Sequence, residues 1–346
     1  MRPEIGRAVT LLQNAPQDGR DGPTGATLVA ALRDSGLLAA CRDLAHHPQA
    51  PLELLSALAA VGGASLSAGR LFEGHVNAVK LVQLYAGPAK ERLLADVSAG
   101  ALFGIWGADG LHPAVLDGGT LRGSKLFASG ADVLDCAIVS VRDDDRPQLL
   151  LFTRAQLAGR LYPEEWHPSG MTSTASGRCD LDGLAASEAV PLGRPGDYLA
   201  EPHFQGGVWR YAAVQMGAMR TLTKIAAAQL QQRGQASAPL QSLRLRRMVV
   251  ACETSRLWLE DAARGVEVPG APASAADPAI LARLVVADEA KALLAAMDDA
   301  LGAASFMQGH PAERIRRDLG FYLRQANPDG LSQAVMDRMV EGGRWP

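Results

Sequence analysis

The chain has 346 residues, 48% of them hydrophobic, 21% charged and only 5% aromatic. That length allows about two or three domains with large cores and excludes a small disulfide-stapled scaffold. A net charge of −3 offers no basic face for nucleic acid or an anionic membrane, since phosphate binding needs clustered cations.

Cys41, Cys136, Cys179 and Cys252 stand far apart, in no CxxC or Cys/His pattern, so neither a metal site nor a disulfide framework is expected. There is no apolar leader segment and no uncharged apolar run of roughly 18 residues. A cytoplasmic protein without a membrane span is therefore expected.

After a polar start, residues 26–97 carry helical periodicity through Leu28, Leu32, Leu37, Leu38, Leu52, Leu55, Leu58, Phe72, Val76, Val79 and Val82. Pro48, Pro51, Gly62, Gly63 and Gly87-Pro88 divide it into separate helices. From about Ala99 short alternating runs take over, separated by turn residues. Asp143-Asp144-Asp145-Arg146-Pro147 reads as a solvated hairpin tip in preference to an acidic metal site. Beyond Tyr198, residues 207–233, 239–264, 278–304 and 311–323 are Ala/Leu/Arg-rich helical stretches. Asp277 is expected as an N-cap with Pro278 at the first helical position. The expected fold is an α+β multidomain chain: an N-terminal helical domain (1–98), a middle β-barrel-like or β-sandwich domain (99–195) and a C-terminal four-helix bundle (196–346).

No Walker A, GxGxxG, GxSxG or HExxH pattern is present. Other segments carry the chemistry. HPAERIRRD (His310 to Asp318) resembles the Y-P-x-E-R-x-x-R-D signature of acyl-CoA dehydrogenases, and GAASF (Gly302 to Phe306) stands where that family has G-G-x-G-Y. RGQASAPLQSLR (Arg233 to Arg244) is similar to R-x-Q-F-G-x-P-I-x-x-F-Q. LRGSKLFASGADVLD (Leu121 to Asp135) resembles L-x-G-x-K-x-W-I-T-N-x-x-x-A-D, and GMTSTASGRCDLDGL (Gly170 to Leu184) resembles G-x-R-x-S-x-T with its following strand. The resemblance covers about residues 26–330, with its motifs in the family's order.

The resemblance implies an FAD-dependent oxidoreductase acting on the CH-CH group of an acyl thioester such as acyl-CoA, assembled as a homodimer or homotetramer. It implies FAD-binding roles for Phe127 and Ser129, at the family's flavin-contacting Trp and Thr, and for Thr174 and Ser176 in the second loop. Arg233 stands at a pyrophosphate-contacting position. Taken without the family, Phe127 and Ser129 are alternating strand residues, TSTAS is a polar turn, and Arg233 is a cation at a helix C-terminus. Glu313 and the arginines of Pro311 to Asp318 are expected to pair along one helix.

The sequence also departs from the family. The catalytic Glu that would accept the α-proton falls on Ala326, and its second known placement falls near Gly206 and Gly207. Glu201 and His203 lie close by but match neither position. The glycine-containing flavin loop T-E-P-x-x-G-S-D is replaced by GIWGADGLHPA. Ala236 and Leu243 replace two phenylalanines, and Arg244 replaces the Gln that touches the adenosine side. Three functions stay open: a dehydrogenase for an unusual acyl substrate, a flavin-dependent monooxygenase of the same fold, whose G-M-x-x-T-x-S loop is matched by Gly170 to Ser176, and a non-catalytic homologue.

Overall fold

The computed structural model describes residues 2–325 and 327–343. Six helices come first: α1 (Pro3–Gln13), α2 (Gly25–Asp34), α3 (Leu37–Leu44), α4 (Pro51–Ala64), α5 (Leu66–Tyr85) and α6 (Lys90–Ser98). Helix α1 lies in the stretch read as a polar start. Its Pro3 opens the helix, and Ile5, Ala8 and Leu12 make a narrow buried stripe on this short element.

Nine strands follow: β1 (Phe103–Trp106), β2 (Val115–Asp117), β3 (Thr120–Arg122), β4 (Ser124–Ala128), β5 (Cys136–Asp143), β6 (Arg146–Thr153), β7 (Leu161–Tyr162), β8 (Gly177–Asp180) and β9 (Val190–Leu192). One sheet runs β3-β2-β5-β6-β9, with β1 also on β5, and a second runs β4-β8-β7. The β5–β6 hairpin closes Asp143 onto Arg146, so the acidic run is the expected tip, with Asp144 at φ 51°. The family-like run from Leu121 to Asp135 is split between the sheets: β3 ends at Arg122 and β4 starts at Ser124.

The later helices are α7 (Trp209–Gln232), α8 (Pro239–Glu267), α9 (Ala276–Leu301), α10 (Pro311–Tyr322) and α11 (Pro328–Gly342). The fifth, α11, has no counterpart in the sequence reading because Val335 is its sole buried residue and periodicity has nothing to report. Asp277 is not an N-cap. A 3-10 turn at Ala273–Ala275 runs straight into α9, so Asp277 falls inside the first turn and its carboxylate accepts from Arg338 of α11 at 2.7 Å.

The chain forms two compact units. The first holds the residues up to His47, Arg70–Pro168 and Thr172–Ala200, and therefore both sheets. The second holds Pro48–Gly69, Ser169–Met171 and the residues from Glu201 onward. In the second unit α4 packs on α7 at backbone contact: a Cβ on Gly217 would strike the Ala59 carbonyl. Thr221 Oγ1 donates to the Gly63 carbonyl at 2.8 Å across the same crossing. Glycine at this point lets two helices approach closer than side chains permit, which groups α4 with the C-terminal helices.

Candidate functional site

In the first unit, two loops bring together three of the five residues singled out by sequence. Trp106 Nε1 donates to the Ser129 carbonyl at 3.1 Å, and the Gly130 N–H donates to the Thr174 carbonyl at 2.7 Å. Thus β1, the end of β4 and the turn before β8 are stitched together. Thr174 Oγ1 and Ser176 Oγ share a hydrogen bond of 2.8 Å, and Ser176 Oγ donates to Ser129 Oγ at 2.9 Å. All three hydroxyl residues are buried. The Ser129 hydroxyl proton itself has only a long 3.5 Å contact with the Phe127 carbonyl, at the outer limit of a hydrogen bond.

Phe127 is the opposite case. It is 59% exposed, sits where the β4–β8 register shifts between Lys125 and Ala128, and has φ 54°. Its ring meets the half-buried Trp166 edge-on at 6.0 Å and 84°, so Phe127 presents an exposed aromatic face two residues from the buried Ser129. Of the five non-glycine residues with positive φ among the described residues, Phe127, Met171 and Ala175 all fall in these two loops. Such backbone costs about 1–2 kcal/mol per residue and gathers where a site needs it.

The segment that replaces the family's glycine-containing loop runs alongside β4. Leu126 N–H donates to Ala108 O at 3.0 Å, Gly110 N–H to Ser124 O at 2.9 Å, and Ser124 N–H to His112 O at 3.0 Å. Lys125, 1% exposed, locks it: Nζ donates to Asp109 Oδ1 at 2.6 Å, Ser140 Oγ at 3.2 Å and Gly107 O at 3.3 Å. Burial pulls the Lys125 pKa down, and Asp109 opposes that shift. Sequence reasoning missed Lys125, Asp109, Trp106 and Trp166, although Lys125 was legible as the Lys of L-x-G-x-K. A cavity of about 660 Å³ opens among the residues that continue from these loops: Ala131, Leu157, Leu161 and Pro163 with Asp132 and Arg154 as its charged members.

The second unit holds the remaining candidates. Arg233 is the exposed C-cap of α7, where its charge lowers the pKa of His310, after burial as the larger cause. It is not part of the hydroxyl cluster's unit. Glu313 and Arg317 pair at 3.3 Å along α10. Asp318 Oδ1 accepts from the Met171 N–H at 2.8 Å, and Arg317 Nη1 donates to Ser169 O at 3.1 Å. A Cβ on Gly170 would lie 2.7 Å from the Arg317 carbonyl. The HPAERIRRD signature thus anchors the residues that lead into the second loop.

Glu201 is engaged elsewhere. Its two oxygens accept from the Gln205 and Gly206 N–H groups at 3.0 and 3.2 Å, capping the turn Gln205–Val208. Burial raises its pKa and these N–H groups lower it. Gly206 and Gly207 offer no side-chain acceptor, and Ala326 lies outside the described residues. Among the described residues no group of three or more His, Cys, Asp and Glu is placed to hold a metal, and no helix is long and apolar enough to cross a membrane.

Residues 196–323 match the family model described as acyl-CoA dehydrogenase, C-terminal domain. No curated protein matches the chain. Among solved structures, FMN-bound TdsC from Paenibacillus sp. A11-2, a dibenzothiophene monooxygenase, aligns with a TM-score of 0.80 at 19% identity, covering 100% of this chain and 98% of that one. Butyryl-CoA dehydrogenase from Megasphaera elsdenii aligns with a TM-score of 0.80 at 15% identity, covering 98% and 99%. Glutaryl-CoA dehydrogenase from Mycobacterium smegmatis aligns with a TM-score of 0.80 at 16% identity, covering 98% and 94%. The fold is therefore the α+β multidomain fold of acyl-CoA dehydrogenases. Residues 196–323 match the C-terminal domain of that family.

Proposed function

We propose that this protein is a flavin-dependent oxidoreductase that oxidises a small molecule by monooxygenase-type chemistry, without removing an α-proton by a carboxylate. The hydroxyl cluster of Ser129, Ser176 and Thr174 carries the reading. It fits a planar ring with polar edges: Phe127, its ring against Trp166, supplies an exposed aromatic surface, and Ser129 supplies a hydroxyl proton that its own chain holds weakly. When bound, a flavin supplies the redox chemistry, and the protein supplies orientation and electrostatics.

The choice against a dehydrogenase rests on proton acceptors. A general base must hold a titratable atom near the substrate, and the matched positions here are Ala326, Gly206 and Gly207. The carboxylate oxygens of Glu201, the nearest carboxylate along the chain to the latter pair, cap a turn. The Gly170 to Ser176 pattern and the FMN bound to TdsC support the monooxygenase reading. The match of residues 196–323 favours a second reading, FAD-dependent dehydrogenation of an acyl thioester.

Titration of the purified protein with FMN and with FAD, followed by flavin fluorescence, tests both. Saturable binding, bleaching by a flavin reductase and an oxygen-dependent product are expected. Anaerobic bleaching by an acyl-CoA alone would move the assignment to the dehydrogenase, and no affinity for either flavin would remove both. Ser129→Ala and Ser176→Ala are expected to weaken binding of either flavin about tenfold, as the loss of one hydrogen bond of about 1.4 kcal/mol implies. Arg233→Ala is expected to weaken FAD more than FMN, and unchanged FAD affinity would take Arg233 out of the site.

A further inference from the structure

Helix α5 carries a polar face that the flavin reading leaves unused. Arg70, Glu73, Asn77 and Lys80 recur at three- and four-residue spacing, so they share one side of the helix. A face of this composition ordinarily stands in water, yet Glu73 and Lys80 are each 2% exposed and the Arg70 side chain is 14% exposed. Taking charges out of water is costly unless partners meet them.

The pair at the start of this face is built to present a cation. Glu73 Oε2 accepts from Arg70 Nη1 at 2.6 Å, and Glu73 Oε1 accepts from Asn77 Nδ2. Both carboxylate oxygens are occupied, and Glu73 holds the guanidinium in place. Among the described residues nothing accepts from Nε or Nη2 of Arg70. That edge is the one that meets a carboxylate with two parallel hydrogen bonds. There is room beside the guanidinium: Gly74 is buried, and outside its own helix backbone a Cβ on it would meet only Arg70 Nη1 within 4 Å, at 3.3 Å.

The face also lies next to the hydroxyl cluster. Cδ2 of Leu71, the residue after Arg70, would be 3.1 Å from a Cβ on Gly130, which follows Ser129. On the other side Tyr198 stands in the field of Glu73. Burial, and after it the Glu73 charge, pushes the phenol up to about 12, so Tyr198 keeps its proton and brings no second anion to the face.

We propose that Arg70 binds the carboxylate of a small organic acid, and that this acid is the molecule the protein oxidises. Nε and Nη2 donate to the two carboxylate oxygens, Glu73 keeps the guanidinium aimed, and Leu71 directs the rest of the acid toward Gly130 and Ser129. The binding clause stands on α5 alone, whereas the oxidation clause rests on the flavin reading. The phosphate of FMN is the other anion that such an edge would take, and the test separates the two.

Isothermal titration of the purified full chain with acetate, hexanoate and benzoate, and with the corresponding neutral amides, tests the binding clause. At least one acid is expected to bind about tenfold or more tighter than its amide, because hydrogen bonds between ionised partners are the stronger ones. Arg70→Met is expected to remove that preference and Arg70→Lys to restore part of it, with FMN and FAD affinities unchanged in both. Should Arg70→Met unfold because Glu73 is left unpaired, the double variant Arg70→Met/Glu73→Gln removes both charges and is expected to show the same loss. The comparison of acid with amide on the wild-type chain needs no variant. Equal affinity for acids and amides, no binding of either, or an undiminished preference in Arg70→Met would overturn the proposal. So would weaker FMN binding in Arg70→Met, which would assign the edge to the flavin phosphate. Acid binding by a chain with no affinity for either flavin would keep the Arg70 site and overturn its link to oxidation.

Discussion

Among the described residues, four of the five non-glycine residues with positive φ, Phe127, Asp144, Met171 and Ala175, fall between Phe127 and Ala175, and the fifth, Asn327, is the N-cap of α11. The helical bundle instead takes its tension in buried charge: Arg210 and Glu267 pair at 2.6 Å with both side chains 3% exposed, and the wholly buried Arg283 donates to the Leu323 carbonyl at 2.9 Å. The strand region gathers unusual backbone around buried hydroxyls, and the bundle, Asn327 apart, keeps ordinary backbone and locked polar partners. This contrast parallels the sequence. Residues 196–323 match a family model, and the strand region lies outside that match.

The largest effect is expected in the bundle. Glu267→Ala leaves Arg210 buried without its carboxylate and should cost about 3–5 kcal/mol, as breaking one side of a buried pair does. Urea unfolding would measure it. A loss below about 1 kcal/mol would mean that water or another group relieves Arg210, and the contrast between the regions would fail.

Acid should act on the unit that holds the sheets. His75 is buried, with Nε2 at 3.1 Å from the Leu38 carbonyl and Nδ1 accepting from the Phe103 N–H at 3.0 Å. Both contacts are satisfied by the neutral ring, and burial lowers its pKa from 6.5 to about 4. The unfolded chain therefore binds a proton that the folded chain refuses. Stability from this group is complete above pH 6.5 and is lost as pH falls toward 4, by on the order of 3 kcal/mol. Unfolding curves across that range would show it. The slope should shrink in His75→Gln; an unchanged slope would assign it to other groups.

The smallest effect distinguishes the regions by sign. Ala228→Gly, at an exposed position inside α7, should cost about 1 kcal/mol through helix propensity. Ala175→Gly, at φ 42°, relieves a left-handed conformation and should be neutral or stabilising by up to about 1 kcal/mol. Losses of equal size at both positions would show that Ala175 is not strained.

Much of the fold was legible because its signals are local. The β5–β6 hairpin followed from its Asp and Pro residues, and helices α7 to α10 from their periodicity. The motif residues Ser129, Thr174 and Ser176 pointed to two loops that the structure joins through their hydroxyls. Helix α11 was not legible, since its single buried residue imprints no pattern, whereas Ile5, Ala8 and Leu12 of α1 do carry helical spacing, in a stretch too short to stand out from its polar surroundings. Lys125 was overlooked for the converse reason: lysine is expected in solvent, and nothing near it along the chain signals that Asp109, Ser140 and Gly107 surround it.

The sequence by itself determined the order of helical and strand regions and the family that residues 196–323 match. Those properties reside in residue identities and short spacings. Tertiary structure alone decided that Asp318 caps the N–H of Met171, 147 residues away, that α4 packs on α7 at Gly217, and that Leu243, Val250 and Leu257 of α8 stay exposed. Each depends on which distant backbone approaches a side chain, and an apolar residue has the same identity whether or not its own chain covers it.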